Sequence, residues 1–325
     1  MPAIITHDIF ARRVHDKVRE DYPFLSESKH LYQVFSQSHD YLFYYKTLNR
    51  KKTRHINHFG HVGHWEKTQD FLINMILEIQ EKKLENNSDA MALLFGYITH
   101  YVLDSTCHPF IFYKTGTFYK DRPETFKYAG EHGHMERDLD AYYYKKTFKK
   151  DYKYCNVARD IIGKPNLSPE IIDLLNNSYK KTYNEDNIGF IYKKSIDIAR
   201  RLYATFINDR YGIKRFFYKG FDKITKHRKG YISSYSTHIT DINMNFLNLD
   251  HKEWNHPCYK KMTYNYSFDD LLDISEEKVI KIYKEITKYL NNKISLDKLK
   301  ESIPNISYST GLDIEDETKM KYFEY

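Results

Sequence analysis

The chain has 325 residues, of which 51 are lysine or arginine and 44 are aspartate or glutamate, so its formal net charge is +7. Charges of both signs are too evenly mixed to indicate a nucleic-acid-binding protein, and we expect no specific nucleic-acid partner. The sequence contains no apolar run close to the ~18 residues of a transmembrane helix, so we expect no transmembrane segment.

The chain contains only 12 glycines and 8 prolines, about half the usual share of turn-forming residues. This shortage favours long helices, and we predict an all-α protein folded as a multi-helix bundle. The 31 tyrosines must cover part of the core, because other apolar residues are fewer than usual. The three cysteines are scattered and residues 1–8 lack a secretory signal pattern, so a reducing cytoplasm is the expected location.

Apolar residues at helical spacing predict the elements of the first half of the chain. Thr6 is expected to cap a first helix, and a second helix is expected over residues 65–83. A third helix is expected from Ser88 to a point near Cys107, because Pro109 biases the residue before it away from helical backbone.

Residues 112–130 contain two glycines and a proline and are predicted to form a loop, after which a helix resumes near Glu131 and passes Tyr144. Ser168 is followed by a proline at the first helical position and predicts another helix start. Residues 225–265 are expected to form a long ordered loop or a broken helix. Further helices are expected over residues 188–208, 267–291 and 295–302.

No internal repeat or low-complexity linker divides the chain. We therefore predict a single domain over residues 1–303, in which the C-terminal half completes the bundle. The remaining residues, 304–325, are rich in acidic side chains and are predicted to form a partly disordered tail.

Histidines and carboxylates stand four residues apart at two places in the chain. His100 and Asp104 share one face of the predicted third helix, and His108 follows one turn later. His132 and Glu136 repeat the spacing on the next helix. Imidazole and carboxylate groups on one face can converge on a zinc ion, although a solvated charged face is the simpler interpretation of either pair alone. Together, the two pairs predict a metal cluster between helices of the N-terminal half.

Other residues are candidates to complete this cluster. Asp40 precedes an aromatic run, where an unpaired carboxylate would be costly. His64 follows two closely spaced glycines, and His7 lies near the start of the first helix. Asp140 continues the second pair's face and is expected to accept a hydrogen bond from a ligand imidazole. Three further histidines are not interpreted as ligands: His55 and His58 are expected in a basic loop, and His61 is expected to have a structural role.

In their order along the chain, these motifs resemble the zinc-dependent phospholipase C family, in particular its bacterial relatives without a signal peptide. The ordered motifs are Thr6-His7, Asp40, Gly60-x-x-x-His64, His100-x-x-x-Asp104-x-x-x-His108-Pro109 and His132-x-x-x-Glu136. Residues 245–257 are also similar to the C-terminal part of those relatives, so the resemblance covers nearly the whole chain.

The resemblance implies a phospholipase C-like, metal-dependent phosphoric ester hydrolase with two zinc ions. The implied ligands of one ion are Asp40, His64, His100 and Asp104, and those of the other are His108, His132 and Glu136. His7, with Asp104 bridging, matches part of a third site. In secreted members the third ion also binds an N-terminal tryptophan, whereas this chain starts with Met1-Pro2, so the third ion stays open. The resemblance further implies that Asp40 is the catalytic base for a metal-activated water.

A phospholipid or another small phosphoester is the substrate that the resemblance implies. The aromatic run 41–45 could hold a choline headgroup by cation–π contact or simply fill the core. Basic residues such as Arg12 and Arg13 could make peripheral contact with a membrane or form a solvated face.

Two other interpretations stay open at this point. His39 and Asp40 form an adjacent pair of the kind that HD-type metal phosphohydrolases use. Alternatively, the chain is a non-catalytic helical protein whose metals stabilise the fold. A metal site fully closed by protein ligands would favour this last interpretation, because catalytic zinc keeps an open position.

Overall fold

The computed structural model of the chain describes residues 4–45, 50–119, 121–128, 130–224, 232–239 and 241–324, without the side chains of residues 50–55 and 57. Helices are the main elements of the described residues and sheet is almost absent from them, which confirms the all-α prediction. Two short strands, β1 (Trp254–Asn255) and β2 (Thr263–Tyr264), pair antiparallel. Each helix in the described part of the chain is too short or too polar to cross a membrane.

The helices divide between the two halves of the chain. Those of the first half are α1 (Ile4–Val18), α2 (Phe24–Glu27), α3 (Lys29–Phe35), α4 (Arg50–Trp65), α5 (Thr68–Glu81), α6 (Ser88–Thr115) and α7 (Glu131–Phe148). Those of the second half are α8 (Pro169–Tyr183), α9 (Ile188–Leu202), α10 (Ile213–Ile224), α11 (Phe268–Leu290) and α12 (Leu296–Ser302). Short π-helical turns lie at Ala158–Ile162 and Tyr203–Ile207.

α6 is the centre of the fold, because it is buried over most of its length and packs against α3, α5, α7 and α11. α3 comes closest at Gly96, where an added Cβ would lie 2.7 Å from the carbonyl oxygen of Tyr32. Tyrosines fill much of the space around α6. The Tyr97 hydroxyl donates to that of Tyr192, and the Tyr32 hydroxyl lies 3.2 Å from Thr99 Oγ1. Tyrosine therefore contributes to the core, as the composition predicts.

The sequence predicts that α6 ends near Cys107, before Pro109. The helix instead continues through Pro109 to Thr115. A proline inside a helix costs ~3 kcal/mol, because it removes a backbone hydrogen bond and clashes with the preceding turn. Phe110 and Ile111 follow the proline and are buried. Burying side chains of this size contributes ~1.5–3 kcal/mol each, which offsets the cost of the proline. The continued helix keeps His108 on the same rigid element as the ligand candidates before it.

The structure tests the predicted starts of three helices, α1, α7 and α8. The Ser168 side chain accepts a backbone hydrogen bond at the start of α8, as predicted. The helix that follows the loop begins at Glu131, again as predicted. Thr6 is not a cap, because α1 is already helical at Ile4 and the Thr6 hydroxyl donates to Asp140 Oδ1 at 2.7 Å.

The basic stretch before residue 60 forms the first part of α4 and is not a loop. His58 and His61 are exposed on this helix, in line with their interpretation as residues outside the metal cluster. The side chain of His55 lies outside the described residues.

Residues 225–265, predicted as a loop or a broken helix, are mostly irregular where they are described. Short 3₁₀ turns form at Ser233–Tyr235 and Met244–Leu247, and the β1–β2 hairpin follows. Residues 225–231 and 240 lie outside the described residues.

The C-terminal segment 304–324, which the sequence predicts as a partly disordered tail, lies along the helices. Tyr308 is buried, and its N–H donates to the His64 carbonyl at 2.9 Å. Met320 is also buried, whereas acidic residues such as Asp313 face solvent. The apolar residues between the acidic ones therefore attach this segment to the helices.

We predict that Gly96→Ala destabilises the protein by about 1–3 kcal/mol, because overpacking would push α3 and α6 apart. Gly220→Ala is the matched control, since a Cβ there meets no atom within 4 Å and alanine favours a helix. Urea unfolding measures the free energy of both variants. Equal stability of the two variants would contradict the close approach at Gly96.

Candidate metal centre

The ligand candidates predicted from the sequence meet around the carboxylate of Asp104. Its Oδ1 lies 3.1 Å from His7 Nε2. Its Oδ2 lies 3.3 Å from His100 Nε2, 3.5 Å from His64 Nε2 and 3.7 Å from His108 Nδ1. Asp104 is buried. Its two oxygens face different imidazoles, which is an arrangement suited to a carboxylate that bridges two cations.

Four helices and one 3₁₀ turn position these side chains. They are His7 on α1, Asp40 in the turn Ser38–Tyr44, His64 in the last turn of α4, His100, Asp104 and His108 on α6, and His132 and Glu136 on α7. Successive candidates on α6 are four residues apart and therefore about 6 Å apart along the helix axis. The pair His100 and Asp104 on α6 and the pair His132 and Glu136 on α7 both belong to this centre, where His108 lies between them.

His108, His132 and Glu136 form a group of their own, called here the second cluster. His132 Nε2 lies 3.0 Å from Glu136 Oε1, and His108 Nε2 lies 3.5 Å from the same oxygen. The His132 side chain is 29% exposed, whereas that of Glu136 is buried. Three protein ligands leave one position of a tetrahedral zinc ion open. Because His132 is partly exposed, a position left open by these three residues would be accessible from solvent.

Asp40 and His64 lie beside a histidine that the favoured sequence interpretation left out. Asp40 Oδ1 is 3.4 Å from His64 Nε2, and His39 Nε2 is 3.0 Å from His64 Nδ1. His39 reaches this position because Ser38 has a φ of 45° and turns the chain. Gly63 leaves room for the ring, since a Cβ there would lie 2.8 Å from it. Gly63 makes this contact possible, but a glycine in one segment does not identify its partner in another.

Backbone carbonyls orient three of the imidazoles. The ring nitrogens concerned are His64 Nδ1, 2.7 Å from the Gly60 oxygen, His100 Nδ1, 3.1 Å from the Ser36 oxygen, and His108 Nδ1, 2.9 Å from the Tyr308 oxygen. An N–H that donates to a carbonyl fixes the tautomer and leaves Nε2 free to bind a metal. Tyr308 belongs to the C-terminal segment, so no local motif could have pointed to it.

Several polar atoms of the centre are buried and make no hydrogen bond in the described structure: His7 Nδ1, Asp40 Oδ1, His100 Nε2, Asp104 Oδ2, His132 Nδ1 and Glu136 Oε2. Buried polar atoms without partners are rare and costly. These are imidazole nitrogens and carboxylate oxygens, the donor atoms that zinc accepts. The residues present therefore fit zinc ions.

Electrostatics couples the carboxylates and the imidazoles. Burial lowers the pKa of His108, but Asp104 and Glu136 outweigh burial and raise the pKa to about 9. Burial raises the pKa of Asp104, but His108, His100 and His7 hold that pKa well below its usual range. The buried negative charge thus needs positive charge beside it. A metal ion would supply that charge and release the imidazole protons.

Among the described residues, the hydrogen-bond partners of Asp140 are at the start of α1, and the predicted hydrogen bond from a candidate ligand imidazole is not formed. The Asp140 carboxylate accepts hydrogen bonds from the backbone N–H groups of Ile5 and Thr6 at 3.3 and 2.8 Å, and from the Thr6 hydroxyl at 2.7 Å. It therefore caps the beginning of α1. Because His7 follows Thr6 directly, Asp140 positions that histidine through the backbone of α1.

The fold and the site define a helical protein with a buried cluster of histidine and carboxylate side chains that could hold metal ions. The family model described as zinc dependent phospholipase C matches residues 6–203, which is more than half of the chain. The chain therefore belongs to the zinc-dependent phospholipase C family, and this family implies a hydrolase. No curated protein and no solved structure matches the chain.

We predict that His132→Ala removes the zinc ion of the second cluster, because only two ligands would remain there. His134→Ala is the matched control, since His134 lies on the same helix but outside the ligand groups of the described residues. Elemental analysis after dialysis measures zinc per chain. Equal zinc content in the two variants would contradict the assignment of His132.

We predict that Gly311→Ala weakens zinc binding by about 10–100-fold, the usual effect of disturbing a group that orients a ligand. Gly311 has a φ of 66°, and a Cβ there would lie 2.4 Å from the Ser105 carbonyl oxygen on α6. The substitution would displace Tyr308, whose carbonyl orients His108. Competition with a chromophoric chelator measures the affinity, with Gly220→Ala as control. Unchanged affinity would mean that the C-terminal segment plays no part in metal binding.

Proposed function

We propose that the chain hydrolyses a phosphodiester bond, with a phospholipid as its substrate and other small phosphoesters as the wider class. Membership of the family supports a hydrolase. The observation that carries the proposal is the second cluster, where three ligand candidates meet beside the exposed side of His132. An open position is what catalysis needs, whereas a purely structural zinc site is closed by four protein ligands. This arrangement favours an enzyme over the non-catalytic alternative.

Two zinc ions are proposed, with the ligands Asp40, His64, His100 and Asp104 for one and His108, His132 and Glu136 for the other. His7 contacts Asp104 from the opposite side and marks a third position, whose occupancy stays open. When bound, zinc supplies Lewis-acid chemistry that lowers the pKa of water and offsets the negative charge of the phosphate.

Asp40 is proposed as the general base. Its Oδ1 is buried without a hydrogen bond and points toward His64. Burial raises the pKa of Asp40 in the absence of metal. Asp40 would take a proton as the water oxygen bonds to phosphorus. The bond between phosphorus and the glycerol oxygen breaks, and the departing oxygen takes a proton from solvent.

The aromatic run 41–45 does not add a headgroup site to this proposal. Tyr41 is buried in the core, and the Tyr44 hydroxyl donates to that of Tyr203 at 3.3 Å. The Phe43 ring packs at 4.6 Å against that of His61. These contacts favour the core interpretation of the run, so the proposal names no particular headgroup.

A cytoplasmic location is part of the proposal. Cys107, Cys155 and Cys258 are free and buried. Unpaired thiols are typical of proteins in a reducing compartment.

The HD-type alternative would use His39 as a metal ligand. His39 does lie near Asp40, His64 and His100. That alternative leaves the second cluster without a role, and the family match supports the phospholipase C-like interpretation. We therefore retain His39 as a neighbour of His64.

We predict that the zinc-loaded protein releases phosphocholine from short-chain phosphatidylcholine. A chelator should abolish turnover, and added zinc should restore it. Asp40→Asn should lower kcat by about 10²–10⁴-fold, the usual contribution of a general base. His58→Ala should leave kcat unchanged, since His58 is exposed on α4 and lies outside the ligand groups.

A chromogenic phosphodiester, assayed in parallel, separates the hydrolase from its substrate. Turnover of the chromogenic diester alone would exclude phosphatidylcholine as the substrate and retain the hydrolase. Bound zinc without turnover of either compound would contradict the proposal and favour the non-catalytic alternative.

A further inference from the structure

Helix α10 is oriented with its polar face inward and its apolar face outward. The apolar residues share one face and are mostly exposed: Ile213 (61%), Phe216 (76%), Phe217 (60%) and Ile224 (77%). The polar residues on the opposite face are buried or half-buried: Lys214, Arg215, Tyr218 and Asp222. A helix that packs on a hydrophobic core has the reverse arrangement. The outer face of α10 therefore needs an explanation other than core packing.

Hydrogen bonds on the inner face hold α10 in this orientation. The buried Asp222 carboxylate accepts from the N–H groups of Ile232 and Ser233, both at 2.9 Å. At the other end, the buried Asp209 carboxylate accepts from the N–H of Arg215 at 2.8 Å. Turning the helix over would break these bonds and bury phenylalanines in their place. The exposed apolar face is thus a fixed feature of the fold.

Cationic side chains border the apolar face. Arg210, Lys219 and Lys223 are exposed, and the two lysines lie one turn apart along one edge of the face. Residues 210–224 contain a single carboxylate, and it belongs to the buried Asp222. The outer surface of α10 is therefore both apolar and positively charged. This combination matches the interfacial region of a bilayer that contains anionic lipids.

A second copy of the chain fits this face less well than a bilayer does. Antiparallel twofold pairing through α10 would bring Lys219 and Lys223 of both copies to the same edge of the interface, which like charges disfavour. A helix of about 18 Å also offers a narrow convex strip, compared with the ~800 Å² per partner of a standard protein interface. A planar bilayer accepts a convex strip without needing a complementary groove.

A short series of contacts connects α10 with the metal centre. Asp222 binds the N–H of Ser233, in the turn Ser233–Tyr235. The neighbouring Ser234 Oγ lies 3.3 Å from the position that a Cβ on Gly133 would take. Gly133 follows His132 directly in α7. Docking through α10 would bring a bilayer to the part of the fold that carries the exposed ligand.

We propose that α10 is a membrane-docking helix. Phe216, Phe217 and their apolar neighbours enter the headgroup region, and Lys219 and Lys223 contact anionic headgroups. This inference goes beyond the proposed hydrolase function, because it rests on α10 and its anchors and requires no metal ion.

Co-sedimentation of the full chain with vesicles tests the proposal. The vesicles contain phosphatidylcholine alone or equal parts of phosphatidylcholine and phosphatidylglycerol. We expect stronger binding to the mixed vesicles, and a decrease of this preference in high salt. The double variant Phe216→Ser, Phe217→Ser should bind about tenfold or more weakly, because it removes the largest inserted side chains. The double variant Lys219→Glu, Lys223→Glu should lose the preference for mixed vesicles.

Phe190→Ser is the matched control, since Phe190 is 51% exposed on α9 and should not affect binding. Thermal unfolding verifies that the α10 variants fold. Unchanged binding of the double phenylalanine variant, or an equal loss in Phe190→Ser, would overturn the proposal. So would a dimer of the parent protein that the phenylalanine substitutions convert to a monomer.

Two further measurements separate this inference from the proposed function. His132→Ala should still bind vesicles, because docking does not use the metal centre; loss of its binding would overturn the docking role of α10. The double phenylalanine variant should still hydrolyse a water-soluble phosphodiester. Vesicle binding without any turnover would support docking and contradict the hydrolase. Turnover of soluble substrate without vesicle binding would support the hydrolase and overturn docking.

Discussion

The centre of this protein depends on one electrostatic constraint, a carboxylate buried among four imidazoles. Asp104 lies between His7 on one side and His64, His100 and His108 on the other. An uncompensated buried charge costs several kcal/mol, so these histidines must be held in place. They come from α1, α4 and α6. The charge of Asp104 is therefore neutralised only when α1, α4 and α6 pack together.

Backbone carbonyl groups orient three imidazoles of this centre. Carbonyl oxygens of Ser36, Gly60 and Tyr308 each lie within hydrogen-bond distance of an imidazole of this centre. Two of them come from the chain around α3 and α4, and the third comes from the C-terminal segment. The family model ends at residue 203, so Tyr308 lies beyond it. The centre of this chain thus uses residues outside the matched region.

Local spacing explains what could be predicted and what could not. The pair His100 and Asp104 was predictable because residues four apart share a face of any helix, and scarce turn residues were enough to indicate an all-α fold. The continuation of α6 through Pro109 was not predictable from the local sequence. Burial of Phe110 and Ile111 outweighs the tendency of a proline to end a helix. The contact of His39 with the centre depends on a turn in one segment and on Gly63 in another. No spacing within a single element encodes such contacts.

His108 and Tyr308, whose hydrogen bond supports the second cluster, are 200 positions apart. At ~5–20 residues per second, about 10–40 s of translation separate the two. For most of that interval His108 lacks the carbonyl that orients its ring, although His132 and Glu136 follow it closely along the chain and are synthesised early in the interval. A loosely held set of imidazoles binds ions in the order of their intrinsic affinities, which places copper above zinc. If His108 binds a metal, the selectivity that an oriented imidazole gives would be complete only once Tyr308 has been synthesised.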